Sequence, residues 1–269
     1  LTSTTGTAIS NYSLASTVNV TQDTVANSLT LASGGGLLIN GGNLVTGAGA
    51  LINAGGHLFA ADGTLTQVAL ASGGVYAQTG NTGITNGAIT TSGTNTNLTL
   101  HTVGDLSINS YVLANGTGSI VKDGAGTLTL GKTDFMTGGL TILQGNVSLN
   151  SGSDNTVVVT PTITTPTLVG LNIVGGSLDL NGKSQAFGGI VGINSNQGGV
   201  AGTITNTGAT ANLIASTGTS TTDNGAINGA INLYKAGSGV LTLTQANSLN
   251  GSVNVQGGAL TLKGGVGLD

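Results

Sequence analysis

Two pairs of aspartates have a spacing at which their carboxylates could act together. Asp105 and Asp123 are separated by nearly one predicted coil of the chain, and so are Asp134 and Asp154. Glycoside cleavage needs two carboxyl groups about 5 to 9 Å apart, and stacked β-coils of about 20 residues would bring either pair together. A polysaccharide-cleaving groove usually also holds Arg and aromatic side chains, whereas this chain has no Arg or Trp. We therefore interpret the four residues as solvated turn aspartates, with a polysaccharide-active enzyme as the less favoured alternative.

Metal chemistry has little support in the sequence. His57 and His101 are nearly two predicted coils apart, which is not a convincing ligand spacing, and His57 is expected to point outward. The ending GGVGLD matches the start of a calcium-binding nonapeptide with Asp269 as ligand, but such sites require tandem copies. With no Cys, thiolate sites are excluded. We predict no catalytic residue, no cofactor and no metal.

Two glycine-rich turns follow lysines. DGAGTL from Asp123 and AGSGVL from Ala236 are similar to phosphate-binding loops, but those loops need a following helix, and a strand pattern follows here. We predict ordinary turns. The preceding Lys122 and Lys235 are interpreted as structural or outward-facing rather than catalytic.

The elements that would position these residues are short β-strands. Gly makes up 49 of 269 residues, charged residues only 5% and aromatics 3%. Thr, Val, Ile and Leu favour strands, and Gly and Asn favour turns. Because 38% of the residues are hydrophobic and the net charge is only -4, the composition argues against disorder. With five Lys and a pI near 4.7, the chain lacks the basic composition expected of a nucleic-acid-binding surface.

Residues 42–67 show the repeat length of the strands. Glycine recurs at every seventh position, and leucine follows two places later, at Leu44, Leu51, Leu58 and Leu65. A coiled coil would need apolar a and d positions and charged flanks, and glycine costs about 1 kcal/mol per helical position. Such a unit instead suits one strand and its corner. We predict an all-β fold, a three-sided right-handed parallel β-helix (β-solenoid), with these leucines buried in short strands.

A longer repeat occurs twice in the chain, and its two copies align without gaps. KDGAGTLTLGKTDFMTGGLTILQGNVSL begins at Lys122, and KAGSGVLTLTQANSLNGSVNVQGGALTL begins at Lys235. The pattern K-x-G-x-G-x-L-T-L followed by G-x-L-x-L resembles the autotransporter-associated β-strand repeat of passenger domains in bacterial type V secretion. The resemblance covers about 120–150 and 170–262, while 1–119 is similar only in style.

The resemblance implies a non-enzymatic protein at the bacterial cell surface, an adhesin or stalk, exported through a C-terminal outer-membrane barrel. Surface glycans or proteins, or further copies of the chain, are its expected partners, and nucleic acid is not. The alternative is a self-assembling subunit of an extracellular filament or matrix. We expect residues 1–269 to form a single elongated domain. Because the chain starts at Leu1, we also expect it to be a fragment or mature piece of a longer precursor.

Overall fold

A computed structural model describes the protein unevenly along its length. Side chains are described in 97–113, 117–159, 168–192 and 202–263, together with Ala15, Ser16 and Ile89. In the rest of the stretch from 11 to 91, the strands are described by their backbone pairing alone.

The described residues contain 32 short strands and no helix. The first eleven strands are β1 (Asn11–Leu14), β2 (Thr17–Val20), β3 (Thr24–Ala26), β4 (Ser28–Ala32), β5 (Gly36–Ile39), β6 (Leu44–Thr46), β7 (Leu51–Ala54), β8 (His57–Ala60), β9 (Gln67–Leu70), β10 (Gly74–Ala77) and β11 (Thr82–Thr91). The next twelve are β12 (Leu98–Thr102), β13 (Leu106–Leu113), β14 (Ile120–Asp123), β15 (Thr127–Leu130), β16 (Asp134–Phe135), β17 (Leu140–Ile142), β18 (Asn146–Leu149), β19 (Val157–Val158), β20 (Gly170–Ile173), β21 (Ser177–Asp179), β22 (Gln185–Phe187) and β23 (Gly189–Gly192). The last nine are β24 (Thr203–Thr205), β25 (Ala211–Ser216), β26 (Thr221–Asp223), β27 (Asn228–Gly229), β28 (Ile231–Ala236), β29 (Val240–Leu243), β30 (Ser248–Leu249), β31 (Val253–Val255) and β32 (Ala259–Leu262).

Successive coils stack these strands into three columns. The first column is one twelve-stranded sheet, ordered β1, β4, β7, β10, β12, β14, β17, β20, β23, β26, β29, β32. The second runs from β2 through β5, β8, β11, β13, β15, β18 and β21 to β24, and a bridge between Ile204 and Ile227 continues it to β27 and β30. The third contains β3, β6, β9, the second halves of β11 and β13, β16 and β19, then β22, β25, β28 and β31.

Neighbouring strands of a column pair in parallel, about 4.8 Å apart. A hydrogen bond from Asn155 N to Ser184 O joins the two parts of the third column. The predicted all-β fold of stacked parallel strands, a β-solenoid, is therefore confirmed. No helix in the described part of the chain is long and apolar enough to cross a membrane.

The repeat of glycine and leucine in 42–67 forms strands where the structure describes it. Leu44, Leu51 and Leu58 lie in β6, β7 and β8, each on a different side of the coil. Leu65 and the repeat glycines lie outside the described residues, as do the side chains of the other leucines. The prediction of strands is confirmed at three positions, and the prediction of burial stays a prediction.

Alternate residues of each strand point into a narrow apolar core. In β12, for example, Leu98, Leu100 and Thr102 are buried, and the residues between them are half-exposed. Leu128 and Leu130 of β15 have no exposed surface. Fully burying one such side chain stabilises a fold by about 1.5 to 3 kcal/mol, and each coil obtains that burial from the coils above and below it.

Candidate functional site

Lys122 occupies an inward position of the solenoid wall. It is the third residue of β14, and its side chain has no exposed surface. Its Nζ donates hydrogen bonds to the backbone oxygens of Asp123, Gly124 and Gln144, at 3.1, 2.7 and 2.8 Å. An ammonium has three donors, so the three carbonyls match its capacity. The first two acceptors lie where β14 meets the following turn and the third lies in the next coil, so the lysine joins two coils at a corner.

Lys235 makes the same contacts in the second copy of the repeat. It is also fully buried, and its Nζ donates to the backbone oxygens of Ala236, Gly237 and Gly257, at 2.6, 3.1 and 3.1 Å. These acceptors are the repeat equivalents of those of Lys122. We call each such arrangement, a buried lysine with its three carbonyls, a lysine corner.

Desolvation changes the pKa values of the two lysines in the lysine corners. Burial lowers the pKa of Lys122 from 10.5 to about 8, and the nearby carboxylates of Asp123 and Asp105 oppose this shift. Burial also lowers the pKa of Lys235. Carbonyl acceptors favour the charged form of an amine, so the carbonyls around each Nζ partly compensate for the water that the ammonium has lost.

Glycine is required where the corner meets the next coil. Gly145 has φ +74°, and a Cβ there would collide with the oxygens of Gly124 and Gly126 and with Lys122 Nζ. Its equivalent Gly258 has φ +66° and would collide with the corresponding atoms around Lys235. Glycine adopts positive φ without a steric penalty, so the two glycines leave room for the ammonium.

The expectation that the repeat lysines face outward is wrong, because both side chains lie inside the wall. The sequence-based interpretation also allowed a structural role for the two lysines, and the buried contacts agree with that role. The sequence contained a signal for burial. Lys122 lies two residues after Ile120, and Lys235 lies two residues after Leu233 and four after Ile231, so each lysine has the same alternation as the apolar residues of its strand. In a strand, residues two apart share one face.

The glycine-rich stretches after the lysines form turns, as predicted. Gly124 has φ +82° and Gly237 has φ +73°. Strands β15 and β29 follow them rather than helices. No helix N-terminus is available at either turn to bind phosphate.

The first candidate carboxylate pair does not stack. Asp105 Oδ1 accepts a hydrogen bond from Thr127 N at 2.8 Å, whereas Asp123 pairs in register with His101. Because Thr127 lies above Asp105 and Asp123 lies above His101, the two aspartates occupy different positions along the wall. The coil at this point contains more residues than the number that separates Asp105 from Asp123 in the sequence, so Asp123 does not reach the position above Asp105.

The second pair is separated in the same way. Asp134 pairs with Val157 in the next coil, and Asp154 lies outside that strand. Asp154 is exposed and accepts a hydrogen bond from Ser184 N at 2.8 Å. A pair of carboxylates facing one substrate is therefore not formed by these residues.

Asp134 is not a solvated turn residue, and that interpretation is wrong for it. Only 1% of its surface is exposed. Its Oδ1 accepts a hydrogen bond from Val112 N at 2.8 Å, while its Oδ2 has no partner. Burial raises the pKa of Asp134 well above its usual value, against the effect of that hydrogen bond.

Asp223 is a second buried carboxyl group. It is 3% exposed and accepts a hydrogen bond from Gly225 N at 2.9 Å. Burial raises the pKa of Asp223 to about 6, and the hydrogen bond from Gly225 opposes the shift. Perturbed carboxyl groups often mark functional sites. Among the described residues, Asp223 belongs to no group of three or more His, Cys, Asp or Glu that could hold a metal.

The two histidines lie in different columns of the solenoid. His57 lies in β8 of the second column and His101 in β12 of the first; the side chain of His57 and the residue Asp269 lie outside the described residues. His101 Nδ1 is 2.9 Å from Asp123 Oδ2. Burial raises the pKa of Asp123, but hydrogen bonds from Gly124 N and His101 bring it below the usual value. The described part of the chain holds no group of three or more His, Cys, Asp or Glu arranged around a possible metal.

Comparison with known families identifies the segments that contain the lysine corners. The passenger-associated-transport-repeat family matches residues 120–149 and 233–262. No curated protein and no solved structure matched the chain. The resemblance found in the sequence is confirmed at these two segments, and the chain carries two such repeats, which are typical of autotransporter passengers.

Proposed function

We propose that this chain, with its two passenger-associated-transport repeats, is a section of an exported passenger that acts at the bacterial surface as an adhesin or stalk. One observation carries the proposal: both repeats are built into the same continuous parallel ladder, each with a lysine corner. Strands that pair on both sides make a stiff column. We propose that residues 1–269 belong to this single elongated solenoid.

The repeat supports a proposal for the export route and for the kind of partner. We propose that a linked C-terminal outer-membrane barrel delivers the chain to the cell surface, where it meets surface glycans or proteins. The absence of Cys is compatible with passage of an unfolded chain through a pore, since no disulfide can form inside it. The acidic balance of the chain, with net charge -4, does not favour nucleic acid as a partner.

The proposed function is not catalytic. The candidate acids are separated along the wall: Asp105 and Asp123 bind different coils, and Asp134 is buried while Asp154 is exposed. A glycosidase requires both carboxylates at one bond. These positions support a protein whose role depends on its length and its outer surface.

Display on cells tests the proposal. The chain is fused to an outer-membrane barrel, produced in a non-adherent bacterium and compared with the barrel alone. We expect surface exposure by antibody labelling and protease treatment of intact cells, together with increased cell aggregation or attachment. A chain that stays inside the cell, or that is displayed without changing attachment or aggregation, contradicts the adhesive role. Rods seen by electron microscopy of the displayed chain would distinguish a stalk from an irregular coil.

The filament is the second candidate, and one observation favours it. Large apolar side chains are exposed along the wall, among them Val103 at 50% and Tyr111 at 40%. Exposed apolar side chains can form a surface that binds another chain. Electron microscopy of the purified chain tests this candidate, because filaments that lengthen with concentration support it and single rods at high concentration contradict it.

A further inference from the structure

A groove on the outside of the first column contains glycines that the fold does not require. It has a volume of about 450 Å³ and crosses β17, β20, β23 and β26. Clefts that bind small ligands typically have volumes of about 300 to 1,000 Å³. Gly170 and Gly189 are neighbours in register on its floor.

The surroundings of these two glycines separate them from the structural ones. A Cβ on Gly138, Gly139 or Gly188, in the same groove, would collide with backbone atoms of a neighbouring coil. A Cβ on Gly170 would meet nothing within 4 Å, and one on Gly189 would meet only Thr221 Cγ2, at 3.4 Å. Neither has a positive φ. Glycine in a strand also marks places where a ligand approaches the backbone closely, and these two positions suit that role.

The walls of the groove are polar but uncharged. Thr141, Asn172 and Val191 follow one another in register beside the glycines. The lining also includes Thr219 and Leu168, and Leu168 is 43% exposed. None of the lining residues carries a charge. Hydroxyl and amide groups next to an apolar side chain suit a neutral polyhydroxylated molecule, whereas a sulfated or phosphorylated one would find no cation in the lining.

Two polar atoms of the groove residues lack hydrogen bonds. Asn172 Oδ1 and Thr221 Oγ1 are both shielded from solvent and have no partner. Leaving a buried polar atom unpaired is costly, so a ligand rich in hydroxyl groups that reached these two atoms would supply the donors they lack. By contrast, β20 and β23 are already paired on both sides, so an extended peptide has no free strand edge to join here.

We propose that this groove binds a short segment of a neutral oligosaccharide. The sugar ring lies over Gly170 and Gly189, its hydroxyl groups meet Asn172 and the threonines, and its apolar face packs on Leu168. The inference rests on the proposed surface function and adds the class of its ligand.

Titration calorimetry of the folded chain with cellohexaose, maltohexaose and chitohexaose tests the proposal. The variant Gly170→Val/Gly189→Ala fills the groove at positions with open space, and Asn172→Ala removes one polar wall without adding bulk. The matched control, Thr99→Val/Thr129→Val, changes hydroxyl groups elsewhere on the outer wall. Circular dichroism establishes that each variant is folded.

We expect at least one neutral hexasaccharide to bind, with affinity reduced about tenfold or more in both groove variants and unchanged in the control. Equal binding by wild type and groove variants overturns the proposal, as does binding of heparin alone or of no neutral probe. The cell assay distinguishes failure of the groove proposal from failure of the proposed surface function. If cells that display the Gly170→Val/Gly189→Ala variant still attach, the groove proposal is contradicted and the surface function is not. Saccharide binding by the purified chain without any attachment of cells supports the groove and contradicts the adhesive role.

Discussion

The two repeats, 120–149 and 233–262, share the same corner but differ in how they are covered. Each has a buried lysine that donates to three backbone carbonyls. The apolar positions that follow differ: Leu149 is fully buried beneath the next coil, whereas its equivalent Leu262 is 40% exposed. The corner is therefore formed by residues of the repeat and of the coil directly after the lysine, while burial of the later strands depends on a further coil.

The repeats also differ at one buried polar position. Asp134 in the first repeat corresponds to Asn247 in the second, and both accept a hydrogen bond from a backbone N–H of the preceding coil, that of Val112 or Ile227. Asn247 also donates from Nδ2 to Gln245 O, whereas Asp134 Oδ2 has no partner. The same geometry thus holds a neutral amide in one copy and a desolvated carboxyl group in the other.

The largest effect is expected from removing the lysines. Lys122→Met removes one donor from three carbonyls, of which Asp123 O keeps a hydrogen bond from Thr102 Oγ1 at 3.4 Å. Each buried group left unpaired costs about 1 to 3 kcal/mol. The loss in the free energy of unfolding is reduced because the methionine variant does not have to desolvate an ammonium group. We expect the free energy of unfolding to fall by about 4 kcal/mol for Lys122→Met and by a similar amount for Lys235→Met, which has the same burial and the same number of acceptors. Urea unfolding followed by circular dichroism measures both.

The control is Lys132→Met, because Lys132 is an exposed lysine of the first repeat. We expect it to change the free energy of unfolding by less than about 0.5 kcal/mol. If Lys122→Met were as mild as this control, the lysine corner would not stabilise the fold.

The second effect concerns burial. Leu149→Ala empties a fully covered position, and comparable changes cost about 2 to 5 kcal/mol. Leu262→Ala removes a side chain that is already 40% exposed, and we expect a loss below about 1 kcal/mol. The same unfolding measurement compares them. Equal losses would show that coverage by a further coil is not what separates the repeats.

Much of the architecture was predictable because strand alternation and corner glycines are local signals. The lysine corners could have been recognised from the phase of Lys122 with Ile120 in β14. Lysine is usually exposed, so the pattern alone favoured an outward side chain. Burial of the ammonium depends on acceptors from the next coil, which no local sequence pattern reveals.

Stacking partners could not be predicted from a constant repeat length. In the first column, the step from Ile120 to its neighbour Leu140 is much shorter than the step from Leu140 to Leu171. Insertions at the corners change which residues lie above one another, so the spacing of Asp105 and Asp123 said little about their distance. The groove depends on the same variable coils, and the sequence alone gave no sign of it.

The smallest effect is expected at the position where the repeats hold Asp134 and Asn247. Because the folded-state pKa of Asp134 is raised, the folded chain binds a proton more tightly than the unfolded chain does. The stabilising contribution of this group is therefore present at acidic pH below its unfolded pKa and is lost as the pH rises through its folded pKa. Asp223, with a pKa of about 6, contributes with the same sign between about pH 4 and 6.

Exchanging the two residues isolates this effect. Asp134→Asn keeps the acceptor for Val112 N and removes the carboxyl group, whose Oδ2 is buried without a partner. We therefore expect the free energy of unfolding at pH 7 to rise by about 1 kcal/mol, the low end of the cost of an unpaired buried polar atom. The gain should shrink towards pH 4, where the carboxyl group is protonated in the folded chain. Asn247→Asp should do the reverse in the second repeat, with a loss that grows as the pH rises. Urea unfolding at several pH values between 4 and 7 measures both. Asp223→Asn shows how much of the remaining slope belongs to Asp223, whose pKa is also raised by burial. If Asp134→Asn were destabilising at pH 7, the carboxylate would have a partner that the amide cannot replace, and the two repeats would differ at this position in more than charge.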